Sequence, residues 1–245
     1  MFKILKLWLA DCDTKHHDPN CTVDPHANLP TRLVDVGTKA KPVLRLLETA
    51  SEKPEHDRYI ALSHPWGKPN ENPPFITVLK DESGQGRELD KFKEAIPYDQ
   101  LPRTFKDAVD TTRALDVQYI WIDSICIIQG ENGDFNEESE RMEDVFSHAY
   151  CVISASAASG QNSGFLKPRP HRDFLTFEDP GKGLFYICDF IDNFGEDVLN
   201  SSLSKRGWVF QEHALARRTI FFTSTQTYFE CGRGVRCETL TKMHK

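Results

Sequence analysis

Side chains of the metal-ligating type are concentrated near the amino end of the chain, where Cys12, His16, His17 and Cys21 lie within ten residues. The spacings Cys-x3-His and His-x3-Cys can supply zinc ligands. Near the other end of the chain, Cys231 and Cys237 are six positions apart. Neither group contains a tight Cys-x2-Cys pair, however, and a compact four-ligand site built from one ten-residue segment is geometrically awkward. The sequence therefore predicts no metal site, and these four residues remain weak candidates within a polar lead segment.

A tryptophan and a glutamate late in the chain have the spacing of neighbours on one face of a helix. Trp208 and Glu212 are four positions apart, which in a helix puts their Cβ atoms about 6 Å apart, so both could contact one ligand. The alternative is structural. Glu212 near the start of a helix is favoured by the helix dipole and could pair with Arg206 or Arg217, while Trp208 could be a core residue.

Two further polar positions follow apolar runs. Ser63 ends the run YIALS, which is stopped by the turn His64-Pro-Trp66-Gly, and it is a turn former or a ligand contact. Asp123 follows a second, longer run. A carboxylate at the end of a buried strand is costly unless it is paired or used, so Asp123 either caps the following loop or contacts a ligand.

Composition excludes several classes of protein. The 245 residues carry a net charge of −7 without a Lys/Arg tract, which disfavours binding to nucleic acid. No apolar run approaches the ~20 residues of a membrane span, and the amino end lacks the features of a secretory signal. Seven scattered cysteines indicate reduced thiols and a cytoplasmic location. Cys126, inside the apolar run SICII, is predicted to be a buried, inert thiol.

Hydrophobic periodicity predicts an α/β fold. Short apolar runs alternate with helical patterns between residues 59 and 157, which favours a parallel central sheet flanked by helices, with right-handed crossovers. The run YIWIDSICII over 119–128 predicts a buried strand that closes on Asp123. Ligands of such sheets bind beyond the carboxyl ends of the strands, so 63–67, 123–129 and 156–164 should share one rim. A strand from residue 183, a short helix at 208–216 and a C-terminal β-hairpin flanking Ser224 follow.

Four blocks of sequence taken together resemble the fungal heterokaryon-incompatibility (HET) domain. They are YIALSHPWG, LPRTFKDAVDTTRALDVQYIWIDSICIIQ, the segment from Met142 to Ala155, and RGWVFQEHALARRTIFFT with the Cys231 that follows. The predicted organisation is an irregular lead over 1–55 with a short strand near 33–36, the HET domain over 56–238 with an insertion at about 165–203, and a tail over 239–245. The resemblance implies an effector of regulated cell death that responds to non-self, usually within a longer protein.

The order of elements is also similar to the Toll/interleukin-1 receptor (TIR) fold, a flavodoxin-like arrangement, although the insertion at 165–203 has no counterpart there. In TIR domains that cleave NAD, a Glu four residues after a Trp is the catalytic residue. The resemblance therefore implies that Glu212 is catalytic, with Trp208 stacking on the nucleotide and Arg206 binding phosphate. Contacts from the opposite wall would come from early residues: Ser63, His64, Trp66 and Asp123.

Together, these resemblances lead us to expect a cell-death effector that hydrolyses NAD or a related nucleotide at the nicotinamide–ribose bond. NAD would be a substrate, and no cofactor would be required. TIR-type enzymes act when assembled, so self-assembly or partner signalling domains are expected. The alternative is a non-enzymatic signalling module that acts through protein–protein assembly, and the sequence leaves the choice open.

Overall fold

The structure analysed is a computed structural model. It describes residues 1–16, 21–22, 29–38, 40, 42, 44–56, 58–68, 74–79, 87–169, 173–188, 192–201, 203–204, 207–240 and 242–243. The α-helices in these parts of the chain are α1 Phe2–Lys15, α2 Leu89–Glu94, α3 Arg103–Ala114, α4 Asp123–Cys126, α5 Phe135–Glu140, α6 Met142–His148 and α7 Gly207–Leu215. A 3-10 helix spans Tyr98–Gln100 and a π-helix spans Gly195–Leu199. None of the described helices has the length and apolar character needed to cross a bilayer.

The strands form three sheets. They are β1 Arg32–Asp35, β2 Arg45–Glu48, β3 Tyr59–Ser63, β4 Thr77–Val78, β5 Arg87–Glu88, β6 Tyr119–Trp121, β7 Ile128–Gln129, β8 Cys151–Ser154, β9 Phe174–Asp179, β10 Gly183–Cys188, β11 Arg218–Phe222, β12 Thr227–Cys231, β13 Gly234–Cys237 and β14 Lys242–Met243. The largest sheet has nine strands in the order β14-β13-β12-β11-β8-β3-β6-β1-β2.

The centre of this large sheet is parallel. Strands β11, β8, β3 and β6 pair in parallel, whereas β1 and β2 on one side and β12 to β14 on the other pair antiparallel. The parallel core and the hairpin of β11 and β12 confirm the predicted fold class. The central strands are apolar and buried on both faces, as expected for strands covered by helices on both sides.

Helices cover the sheet from two sides. On one face, Trp121 packs edge-on against Phe146 of α6, and Phe221 packs edge-on against His213 of α7. On the other face, Trp8 of α1 stacks on Phe229 at a centroid distance of 6.1 Å. Successive side chains of a strand alternate between the faces, so the register decides which residues each helix covers.

The prediction of irregular structure at the amino end is wrong for residues 2–15, which form α1. Lys3 and Lys6 interrupt the apolar run in the sequence, but they lie between positions that share one helical face. The buried side chains on that face are Leu5, Trp8, Leu9 and Cys12, with the i, i+3, i+4, i+7 spacing of an amphipathic helix. The predicted short strand is present as β1, and the domain boundaries themselves remain a prediction.

The run over 119–128 forms the predicted strand only in its first part, and the sequence did not predict the helix that follows. Strand β6 ends at Trp121, and the short helix α4 follows it. Strand β7 then pairs with β4, in a separate three-stranded sheet that also contains β5. A short apolar run does not by itself distinguish a buried strand from a buried helix. Strand β10 does occur as predicted, and it pairs antiparallel with β9.

Candidate functional site

The loops that follow β3, β6 and β8 meet at the carboxyl end of the parallel sheet. The indole Nε1 of Trp66 donates a hydrogen bond of 2.7 Å to Oδ2 of Asp123. Gly67, with φ of 90°, lies so close to Gly160 that a Cβ built on Gly160 would be 2.9 Å from the Cα of Gly67. The rim expected from the strand order is therefore present, and its three loops are in contact.

Asp123 is a positioned carboxylate at the centre of this rim. Its Oδ1 accepts a hydrogen bond from the backbone N–H of Ser124 at 2.6 Å, and the same oxygen lies 3.8 Å from Nδ1 of His64. His64 is buried and packs edge-on against Phe105 of α3. The Asp123 side chain remains 24% exposed, so a ligand can reach it. The structure thus brings together His64, Trp66 and Asp123.

Ser63 points away from His64, to the face of the sheet that α6 and α7 cover. It pairs with Ser154 in the register, and Ser154 pairs in turn with Phe221, which contacts α7. The hydroxyl of Ser63 is buried, and none of the described residues hydrogen-bonds it. A buried hydroxyl of this kind costs free energy unless it finds a partner.

Glu212 lies on α7 and is partly buried, with Oε2 shielded from solvent. The helix is held on the sheet through the next residue, His213, whose Nε2 lies 2.5 Å from an oxygen of Glu230. Helix α7 packs on β11 and β12, on the same face of the sheet as Ser63, which lies two strands from β11, in β3. Trp208 belongs to α7, but its side chain lies outside the described part, as do Arg206 and His17.

Three of the amino-terminal Cys and His residues lie close together in the folded chain. Cys12, His16 and Cys21 come together with Cys231 of β12, and their donor atoms all lie within 4.8 Å of one another. The sequence groups Cys231 with Cys237, six positions further on, and not with these three residues, because more than 200 positions separate it from them. In the structure Cys237 is not a member of the cluster.

The cysteine thiols differ in the direction in which their surroundings shift their pKa values. The neighbouring thiol of Cys12 lowers the pKa of Cys231, against the effect of burial, and the same interaction raises the pKa of Cys12. Cys126 is buried, as predicted, and burial raises its pKa to about 12, which disfavours the reactive thiolate. Burial also raises the pKa of Cys151 to about 12.

The chain belongs to the family of heterokaryon incompatibility (HET) proteins. The model of that family, "Heterokaryon incompatibility protein (HET)", matches residues 59–212, more than half of the chain. The match begins at β3, includes the rim loops and ends at Glu212. Membership of this family supports a role as an effector of heterokaryon incompatibility and cell death. No curated protein and no solved structure gives a significant match.

Proposed function

We propose that this effector hydrolyses NAD or a related nucleotide at the nicotinamide–ribose bond, with the carboxylate of Glu212 as the catalytic group. One observation carries the proposal. Helix α7, which bears Glu212, packs through His213 on Phe221 near the carboxyl end of β11, where α/β sheets bind their ligands. The buried Ser63 hydroxyl lies on the same face of the sheet, two strands away in β3. The resemblance to TIR domains supplies the reaction.

The reaction needs one well-placed carboxylate. When the bond between the ribose C1′ and the nicotinamide nitrogen breaks, its electron pair leaves with nicotinamide, which becomes neutral. The ribose then has an oxocarbenium-like positive charge, which Glu212 stabilises. Water adds to C1′ and releases a proton, giving ADP-ribose. Because the leaving group is neutral, the second carboxylate that ordinary glycosidases use as a general acid is not required.

The rim residues would bind the rest of the nucleotide. Asp123 is fixed by Trp66 and by the backbone of Ser124, so its carboxylate is suited to accept hydrogen bonds from ribose hydroxyls. Ser63 offers a hydroxyl on the side of Glu212. From the TIR resemblance, Trp208 would stack on an aromatic ring of the substrate and Arg206 would bind phosphate, for which a guanidinium is well shaped.

The test is nicotinamide release from NAD by the full chain, measured by chromatography at low and at high protein concentration. Glu212→Gln keeps the shape of the side chain and removes its charge, so we expect the rate to fall by about 100-fold or more. Glu140→Gln, at an exposed position of α5, is the matched control and should keep the wild-type rate. Equal rates for the wild type and Glu212→Gln would refute the proposal.

The surface of the β9–β10 hairpin favours a second candidate function. In this function the chain is a non-enzymatic module that assembles with further copies of itself. The hairpin of β9 and β10 exposes large apolar side chains, at Phe174, Leu175, Phe177, Leu184 and Phe185. Phe174 and Leu175 are neighbours in β9 and therefore point to opposite faces, and both are exposed. An isolated two-stranded hairpin is marginally stable in water, so contact with the same hairpin of a second copy would stabilise it.

Cell killing separates the two functions. If the chain acts only through assembly, Glu212→Gln should kill cells as well as the wild type does, while charged substitutions in the hairpin should abolish killing. If NAD cleavage is the toxic activity, Glu212→Gln should be inactive in the same assay. Expression of each variant has to be matched by immunoblot, so that a difference in abundance is not taken for a difference in activity.

A further inference from the structure

Four side chains of metal-ligating type, from the two ends of the chain, meet in one buried cluster outside the proposed nucleotide site. Cys12 lies in α1, His16 and Cys21 follow that helix, and Cys231 ends β12. Cys231 is two positions from Phe229, so it lies on the face of the sheet that α1 covers. Helix α7 covers the opposite face, so the cluster is independent of Glu212.

The distances within the cluster are those of a zinc site. Nδ1 of His16 lies 3.6 Å from Sγ of Cys21 and 3.6 Å from Sγ of Cys231. In tetrahedral zinc sites the Zn–S bonds are about 2.3 Å and the Zn–N bonds about 2.0–2.1 Å, which separates sulfur from nitrogen by about 3.6 Å and sulfur from sulfur by about 3.8 Å. Two edges of the tetrahedron already match. All the donor atoms lie within 4.8 Å of one another. Side-chain rotations that move the donor atoms by about 1 Å would therefore bring all of them to the separations of a zinc site.

We propose that Cys12, His16, Cys21 and Cys231 bind one zinc ion as a structural Cys3His site. Four protein ligands fill the tetrahedral coordination of zinc and leave no position for water or substrate, which is the arrangement of structural rather than catalytic zinc sites. The donor set is also selective, because thiolate and imidazole ligands suit zinc, whereas magnesium and calcium prefer oxygen ligands. Burial excludes competing water: the exposures are 1%, 9%, 0% and 4% in the order of the four residues.

The surroundings of the cluster stabilise the negative charge that three thiolates would bring. The backbone N–H groups of Gly232 and Arg233 lie near the sulfur atoms of Cys21 and Cys231, respectively, where their dipoles favour negative charge. The buried guanidinium of Arg218 donates a hydrogen bond of 2.8 Å to the carbonyl oxygen of Cys21, and its positive charge lies near Cys12. Such outer partners orient the ligands of a metal and tune its affinity.

The ion would connect parts of the chain that are remote in sequence. It would fasten the carboxyl end of α1 and the segment that follows it to the turn between β12 and β13. Binding of zinc to ligands that come together only in the folded chain contributes directly to the free energy of folding. The ion would thus stabilise the packing of α1 on the sheet.

The experiment measures metal in the full chain, expressed with zinc in the medium and purified without chelator. Elemental analysis should find one zinc per chain. Replacement of zinc by cobalt should give the strong visible d–d bands of a tetrahedral ion and a near-ultraviolet thiolate-to-cobalt charge-transfer band. Cys21→Ser and Cys231→Ser should lose the bound metal, whereas Cys126→Ala, which removes a buried thiol that is not a ligand, should retain it.

Several results would overturn the proposal: much less than one zinc per chain in the wild type, iron in place of zinc, an octahedral cobalt spectrum, or full zinc retention by Cys231→Ser. If the serine variants do not fold, the wild-type zinc content and cobalt spectrum still decide, since they need no substitution. Glu212→Gln should keep its zinc, which separates failure of this proposal from failure of the proposed NAD cleavage.

Discussion

The indole N–H of Trp66 and the carboxylate of Asp123 are joined by a hydrogen bond of 2.7 Å, which ties the loop after β3 to the first residue of α4. The two residues are 57 positions apart. Trp66 lies three positions after the end of β3, and Asp123 lies two positions after the end of β6. Hydrogen bonds to a charged acceptor are stronger than neutral ones. This contact therefore fixes the geometry of the rim.

Replacing Trp66 by Phe tests that contact, because phenylalanine keeps an aromatic ring but has no N–H to donate. We expect the free energy of unfolding to fall by about 1–2 kcal/mol, at the lower end for a hydrogen bond to a charged group since both side chains are partly exposed. Urea denaturation measures the change. In an Asp123→Ala background, which removes the acceptor, the same substitution should cost less, and an equal cost in both backgrounds would show that the bond contributes nothing.

Gly160→Ala should destabilise the chain through a backbone clash. The new Cβ would lie 2.9 Å from the Cα of Gly67, and a backbone atom cannot rotate away as a side chain can. We expect a loss of about 1–3 kcal/mol in chemical denaturation. Gly181→Ala is the control, because its Cβ would meet only a carboxylate oxygen of Asp179 at 3.5 Å. Equal stability of the two variants would contradict this account of the rim.

Asp107→Asn should lower the free energy of unfolding, because the carboxylate is buried and both of its oxygens have partners. Its Oδ2 accepts the backbone N–H groups of Phe165 and Leu166 at 2.8 and 2.9 Å, and Oδ1 lies 3.0 Å from Nε of Arg103. An amide nitrogen cannot accept a hydrogen bond, so at least one donor loses its partner, at about 2–3 kcal/mol. Thermal unfolding should show a clear loss for this variant and a small one for Asp110→Asn, on the exposed side of the same helix.

The double substitution Leu175→Glu with Phe177→Glu should reduce self-association without unfolding the chain. The two side chains share one face of β9 and are 73% and 59% exposed, so the stability should change by no more than about 0.5 kcal/mol for each. Sedimentation velocity over a range of concentrations measures the association. Lys182→Glu, in the turn of the same hairpin, changes charge without removing apolar surface and should behave as the wild type does. Unchanged sedimentation of the double variant would exclude the hairpin as the contact.

Much of the fold could be predicted because the central strands are short apolar runs separated by helical patterns. The sequence placed β3 and the hairpin of β11 and β12 correctly, since turn residues mark their ends. It did not reveal α1, whose apolar face becomes meaningful only when Phe229 lies beneath Trp8. Nor did it separate β6 from α4, because the apolar character is continuous across both.

The candidate sites, too, could be predicted from the sequence only in part. The rim residues Trp66 and Asp123 could be predicted to meet, because both follow parallel strands and so share one end of the sheet. The grouping of Cys231 with Cys12 could not be predicted, because an antiparallel hairpin and a helix from opposite ends of the chain have to pack first. The role of Glu212 remains a prediction that only the assay of NAD cleavage can decide.

The position of β11 sets a minimum length for any fragment intended for expression. The family match ends at residue 212, before this strand begins, yet β11 lies between β8 and β12 in the sheet. A polypeptide trimmed to 59–212 would leave one side of β8 with open backbone donors and acceptors, a known route to aggregation. It would also lack α1 and the apolar surface that this helix covers. The sheet and the helices packed on it therefore extend past the matched segment in both directions.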